Sequence, residues 1–328
     1  CLEVPRSCSL AQVADEAGFL VGAAVDSTWI RDPAYADVLA AEFNSVTAER
    51  EMKWDAVQPQ RGTFDFTGAD EIVDFAEQNG LVVKGHALVW DQEHLDSTPD
   101  WVLAVDDPDE LRAVLREHFT AVLGHFGDSV DRWDVVNEPI ETLGVGLYPN
   151  HFQQVLGDRY IDEVFALARE VSPTTSLWIN EAAVEFNPAK AEAFHELVAG
   201  MVERGVPLDG VGLQGHLLAG APQDGFLEDL MGRFAALGLE VGITEMDLPV
   251  EAGTEAEYER QADVYAQVVD ECLAAGCSEL TTWGVHDPQT WLDDFMGRTD
   301  TDPLLFDGTF TAKPAHAAVK EAIASGTL

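Results

Sequence analysis

The chain predicts an α/β fold: one (β/α)8 TIM barrel spanning residues 1–328, with elaborated loops on its C-terminal face. Short apolar runs alternate with amphipathic stretches along almost the whole length, and eight such runs are present. No internal repeat, low-complexity segment or Ser/Pro-rich linker sets off a second module, and α/β barrels reach this length as one unit.

In chain order the predicted strands are Leu20 to Val25, Phe43 to Thr47, Leu81 to His86, Arg132 to Asn137, Ser176 to Asn180, Gly210 to Gln214, Glu240 to Thr244 and Glu279 to Gly284. Between them, segments such as Glu71 to Gln78, Leu111 to Leu123 and Glu257 to Ala274 place apolar residues at helical spacing. Gly80, Gly205, Gly238 and Gly276 stand near helix ends or just before strands, where a left-handed residue is commonly needed. The longer insertions follow the third, fourth and eighth strands. Loops after strands form the catalytic face of a barrel, so these insertions are expected to wall a cleft. They carry Trp90, His94, Trp101, Tyr148 and His151, a content compatible with sugar contacts and, for some, with core packing.

Hydrophobic residues make up 46% of the chain and are spread throughout, so a large core is available. No run approaches a membrane span. Sixty acidic residues against 18 basic ones give a formal charge of -42, a field that repels nucleic acid and anionic membranes. Acidic stretches such as Asp106 to Glu110 and Glu255 to Glu259 read as solvated helix faces, and neither a metal site nor a cofactor is expected. Cys1 and Cys8 are close in sequence, as are Cys272 and Cys277, which suits two local disulfides in an exported, processed protein. A lipid on Cys1 is the alternative for the first pair. A monomer is expected.

The chemistry is legible in two glutamates. Glu138 closes Trp133-Asp-Val-Val-Asn-Glu138-Pro139, and Glu245 closes Val241-Gly-Ile-Thr-Glu245-Met-Asp247, each at the end of a predicted strand. Glycosidic hydrolysis needs two carboxylates in one cleft, because one protonates the leaving oxygen while the other attacks or activates water. Asn137, Gln214, His216, Trp283 and Trp291 also lie at strand ends or in the following loops. Amides, imidazole and indoles bind neutral sugars through their hydroxyls and their C–H faces.

Seven motifs in order resemble the family 10 glycoside hydrolases, best known for endo-β-1,4-xylanases, from about Leu20 to about Val319. They are Phe43 to Glu49 with Met52-Lys53-Trp54, Lys84 to Trp90, Trp133 to Glu138, Gly212 to His216, Ile243 to Asp247, Thr282-Trp283-Gly284, and Pro303 to Asp307. The resemblance implies a retaining mechanism through a covalent glycosyl-enzyme, with Glu138 as acid/base and Glu245 as nucleophile. Such a pair sits about 5–5.5 Å apart. It further implies that His216 and Asp247 support Glu245. Asn137, Asn180, Gln214, Glu49, Lys53, His86, Trp90, Trp283 and Trp291 would meet substrate, as would Arg50 by position. Trp54 and His118 are expected to pack, and Cys272 with Cys277 resembles a family bridge.

Departures gather around the substrate. Arg50 stands where the family usually has Asn, Asp91 where it has His, and Glu93 where it has Gln, before an insertion from His94 to Pro99. After Asn180 this chain reads Glu181-Ala182-Ala183 in place of Asp-Tyr-Asn. Alongside a xylanase, these changes keep open a β-glycosidase for a specialised substrate, such as a saponin sugar chain or a substituted xylo-oligosaccharide. A non-catalytic carbohydrate-binding barrel is the reading from another class, and it predicts loss of a catalytic carboxylate.

Overall fold

The structure, a computed structural model, describes residues 1–92, 97–251 and 253–326. Its strands are β1 (Leu20–Val25), β2 (Ser45–Ala48), β3 (Val82–Val89), β4 (Arg132–Asn137), β5 (Ser176–Glu181), β6 (Gly210–Leu213), β7 (Glu240–Met246) and β8 (Glu279–Thr282). All eight pair in parallel, in chain order, and β8 closes on β1 to form the expected (β/α)8 barrel. The predicted helical segments lie within helices Thr67–Asn79, Pro108–Phe126 and Glu255–Ala274. Gly80, Gly205, Gly238 and Gly276 all have positive φ, between 70° and 85°.

Some strand limits differ from the reading. The second begins at Ser45, because the Asn44 side chain takes over part of the pairing: its Oδ1 accepts from the Val21 amide at 2.8 Å. The third and seventh run on to Val89 and Met246, and the eighth stops at Thr282, where Gly284 (φ 136°) turns the chain.

Val83, Trp133, Leu177, Val211 and Val241 are buried in the core, and on β3 and β4 the first two neighbour the charged Lys84, Arg132 and Asp134. Strand alternation puts them on the opposite face from those charges, outward toward the helices. The space is tight: a Cβ at Gly85 would lie 2.2 Å from the Trp133 indole. The lumen is charged instead. Lys84 Nζ lies 3.2 Å from Asp134 Oδ1 and 3.8 Å from Glu279 Oε1, and Arg132 Nη2 is 3.0 Å from Glu279 Oε2. Since β3 and β8 are not neighbours, the Lys84–Glu279 contact crosses the barrel interior. Both cations also face the Trp178 ring, at 5.1 and 5.3 Å.

Cys1 is bonded to Cys8, and Cys272 to Cys277. The Cys1 sulfur is therefore committed to a disulfide rather than free to carry a lipid, which corrects the alternative reading of that pair. Among the described residues, no helix is long and apolar enough to cross a membrane.

Candidate active site

Regular strands alternate faces, so consecutive residues should not serve one site. On β7 they do: Thr244 Oγ1 donates to Asn180 Oδ1 at 2.6 Å, and Glu245 Oε1 accepts from Asn180 Nδ2 at 2.6 Å. The β7–β8 register shifts between Ile243 and Met246, which is where the alternation breaks. On β4 a similar shift between Asp134 and Val136 brings Asn137, three positions after the lumenal Asp134, back into the interior. Bulges of this kind re-aim side chains beside active sites. Glu138 then leaves the strand with φ 54°, its amide donating to the Asn180 carbonyl at 2.8 Å.

The two glutamates meet through shared partners. Asn180 Nδ2 donates to Asn137 Oδ1 at 2.9 Å as well as to Glu245. Gln214 Nε2 donates to Glu138 Oε1 at 2.8 Å, while the Gln214 carbonyl accepts from the Glu245 amide at 2.6 Å. On its other side, Glu245 Oε2 lies 3.2 Å from His216 Nε2, and His216 Nδ1 lies 2.9 Å from Asp247 Oδ2. Trp291 Nε1 donates to that same Asp247 oxygen at 2.8 Å. Both imidazole nitrogens face carboxylates, an arrangement that favours the doubly protonated ring. Burial opposes a charged His216, but Asp247 and Glu245 outweigh it and raise its pKa well above the ordinary value. Burial likewise opposes ionised Glu245; hydrogen bonding from His216 and the charge of His86 prevail and lower its pKa.

The His216 position depends on a glycine. Gly215 has φ 83°, and a Cβ there would come within 2.9 Å of Ile243 Cγ2. This close approach lets His216 pair with Asp247 in a short parallel bridge.

Around this centre, His86 Nδ1 lies 2.9 Å from Asp134 Oδ2, and its ring meets Trp283 edge-on at 5.3 Å. Trp283 and Trp291 both stand beside His216, at 6.2 and 5.0 Å between rings. Lys53 Nζ sits 4.6 Å from the Trp90 ring centroid. Burial lowers the Lys53 pKa against the pull of Glu245 and Glu49, and burial raises that of Glu49. Trp54 is buried against His118, rings stacked at 3.9 Å, and burial drops the His118 pKa to about 3. Both therefore pack, as expected. No cluster of three or more metal-ligating side chains occurs among the described residues.

Glycosyl hydrolase family 10 is the family model that matches this sequence, over residues 9–322. The chain belongs to that family. A β-1,4-xylanase of Dictyoglomus thermophilum is 38% identical over 319 residues, covering 90% of this chain and 86% of the relative. Endo-1,4-β-xylanase 3 of Hypocrea jecorina is 33% identical, covering 91% of this chain and 80% of its own. In three dimensions, native xylanase 10B of Thermotoga maritima aligns with a TM-score of 0.90 at 32% identity, over 97% of this chain and 99% of that one.

Arg50, expected at the substrate by position, is exposed and paired to Asp55, Nη2 to Oδ2 at 3.0 Å, and its charge acts on Lys53. One assignment carried from the family pattern needs correction. Asn180 is completely buried and donates both amide hydrogens to Asn137 and Glu245, so it lies behind the carboxylates instead of facing a sugar. Of the family departures, Asp91 has become a brace: its Oδ2 accepts from the His151 amide at 2.8 Å, joining the β3 and β4 loops. Glu93 and His94 lie outside the described residues. Thr244 and Asp134 were missed as site supports, although a polar residue inside an apolar strand run was the available signal. Glu181 stood out only as a family departure, while Glu185 and Lys190 were missed as well, with nothing in their spacing to point to them.

Proposed function

We propose that this family 10 protein is a retaining endo-β-1,4-xylanase in which Glu138 is the acid/base and Glu245 the nucleophile. The observation that carries the reading is the amide bridge of Asn137, Asn180 and Gln214, which ties both carboxylates to one centre. Glu245, ionised by His216, attacks the anomeric carbon as Glu138 protonates the leaving oxygen; Glu138 then takes a proton from water, whose oxygen displaces Glu245. Asn137 and Gln214 address the reacting sugar, where a hydrogen bond to its 2-hydroxyl strengthens as oxocarbenium character develops. Glu49, Lys53, His86 and Trp90 line the non-reducing side, beneath Trp283 and Trp291.

The named activities of the relatives support xylan as substrate. The test is incubation with xylan and xylohexaose, with new reducing ends and first-formed β-anomers expected. No hydrolysis, or first-formed α-anomers, would overturn it. A specialised β-glycosidase is favoured by Ala182 and Ala183 and by the exposed Leu143 and Val145 on the loop after Glu138. Cleavage of a saponin panel in preference to xylohexaose would select it. We also read the chain as a single-domain monomer, and the two disulfides support an exported protein.

A further inference from the structure

A second set of buried charges lies behind the catalytic pair. Glu181 ends β5 and is fully buried; its Oε2 accepts from the Ile140 amide at 2.9 Å, two residues after Glu138. Its Oε1 lies 2.9 Å from Nζ of Lys190, in the helix Pro188–Glu203, and Lys190 also donates to the Thr142 carbonyl at 3.3 Å. Four residues after Glu181, buried Glu185 accepts from the Gly215 amide at 2.6 Å, immediately before His216. Thus one loop, from β5 to the helix that follows, holds the chain on both sides of the site. Glu181 and Lys190 hold the segment that carries Glu138, while Glu185 holds the turn that carries His216, the partner of Glu245.

We propose that Glu181, Lys190 and Glu185 form a buried clasp of positioning residues, in which Glu181 with Lys190 aims the acid/base and Glu185 aims the support of the nucleophile. The proposal rests on the roles given above to Glu138 and Glu245. The groups sense one another: burial pushes the Glu181 pKa up to about 7, Lys190 opposing and Glu138 adding to the rise. Burial also raises that of Glu185, against which the charges of His216 and Lys190 act. An ion pair this deep is a poor source of stability compared with apolar packing, so its placement needs another reason. Geometry supplies one, since small displacements of a catalytic group cost large factors in rate.

The two arms predict different dependence on the leaving group, one biased and the other not. Protonation is needed for a poor leaving group and hardly at all for a dinitrophenolate, whereas the nucleophile is needed for both. The experiment measures kcat/KM on dinitrophenyl and phenyl β-xylobiosides. For Glu181→Ala, the loss on the phenyl substrate should exceed that on the dinitrophenyl substrate by about 10- to 100-fold. Glu181→Gln, which keeps an oxygen for the Ile140 amide, should recover part of it. Glu185→Ala should lose activity on both substrates alike.

Equal losses in the Glu181 variants, or the same leaving-group bias in Glu185→Ala, would overturn the clasp. If Glu181→Ala fails to fold, Glu181→Asp, whose shorter reach draws the acceptor back, is held to the same ratio. Glu138→Ala is the control: absence of bias there defeats the acid/base reading itself, whereas bias there without bias in Glu181→Ala defeats the clasp alone.

Discussion

Two sets of buried charges lie within the barrel, and β4 contributes to both, with Arg132 and Asp134 in one and Glu138 just beyond its end in the other. The floor joins Lys84 and Arg132 to Asp134 and Glu279, two cations with two anions. The mouth places Glu138, Glu245, Asp247 and Glu49 around His216 and Lys53, an excess of carboxylates. Asp134 links the two levels, with Lys84 on one oxygen and His86 on the other. On the floor, compensation makes the charges inert. At the mouth it is incomplete, so a carboxylate is left for chemistry.

The largest test of that contrast is Glu245→Gln. Turnover should fall on the order of 10⁴-fold or more, as for other nucleophiles that act within a coupled set, while thermal melting stays close to wild type. A large drop in melting temperature would mean that Glu245 belongs with the structural charges. On the floor, Lys84→Met leaves Asp134 and Glu279 short of a cation and should cost about 3–5 kcal/mol in denaturant unfolding. Unchanged stability there would erase the distinction.

A smaller effect is expected from His216→Asn, which removes the strongest of the influences that lower the Glu245 pKa against burial and leaves that of His86. The acid limb of kcat/KM should move to higher pH, with turnover reduced about 10- to 100-fold. The sign for stability follows by linkage. His216 has a folded pKa raised above the 6.5 of the unfolded chain, so its contribution is complete below pH 6.5 and is lost as pH rises through the folded value. Glu245 has a folded pKa lowered below 4.5, so its contribution is present above pH 4.5 and lost on further acidification. The melting difference between wild type and His216→Asn should therefore be widest between pH 4.5 and 6.5 and narrow toward alkali. A gap that widens toward alkali contradicts the assignment.

The smallest effect concerns the exterior. With a net charge of -42, added salt should raise the melting temperature by screening repulsion between surface carboxylates. The buried Lys84 network is screened far less, so the stability lost in Lys84→Met should persist at high salt.

Much of this architecture could be read in advance because burial on both faces of a parallel sheet leaves an apolar trace in each strand. β1 and β4 begin and end where they were read, and the strand-end positions of Glu138, Gln214, Glu245 and Trp283 follow from their motifs. The lumen was harder to see. Lys84, Arg132, Asp134 and Glu279 sit inside or at the edges of those runs, and their charges are tolerable only because strands distant in sequence bring partners to them. A motif position likewise does not tell which way the exposed Arg50 guanidinium turns, here to Asp55.

Local patterns in the chain thus determined the order of elements, the closed barrel and the residues delivered to its mouth, since each depends on periodicity and on the chemistry of a few side chains. Tertiary structure alone decided how those side chains are aimed. Register shifts in β4 and β7 break the two-residue alternation, turning Asn137 inward and bringing Thr244 and Glu245 to the same amide. Such shifts arise from how neighbouring strands pair, and pairing between strands has no signature within either one.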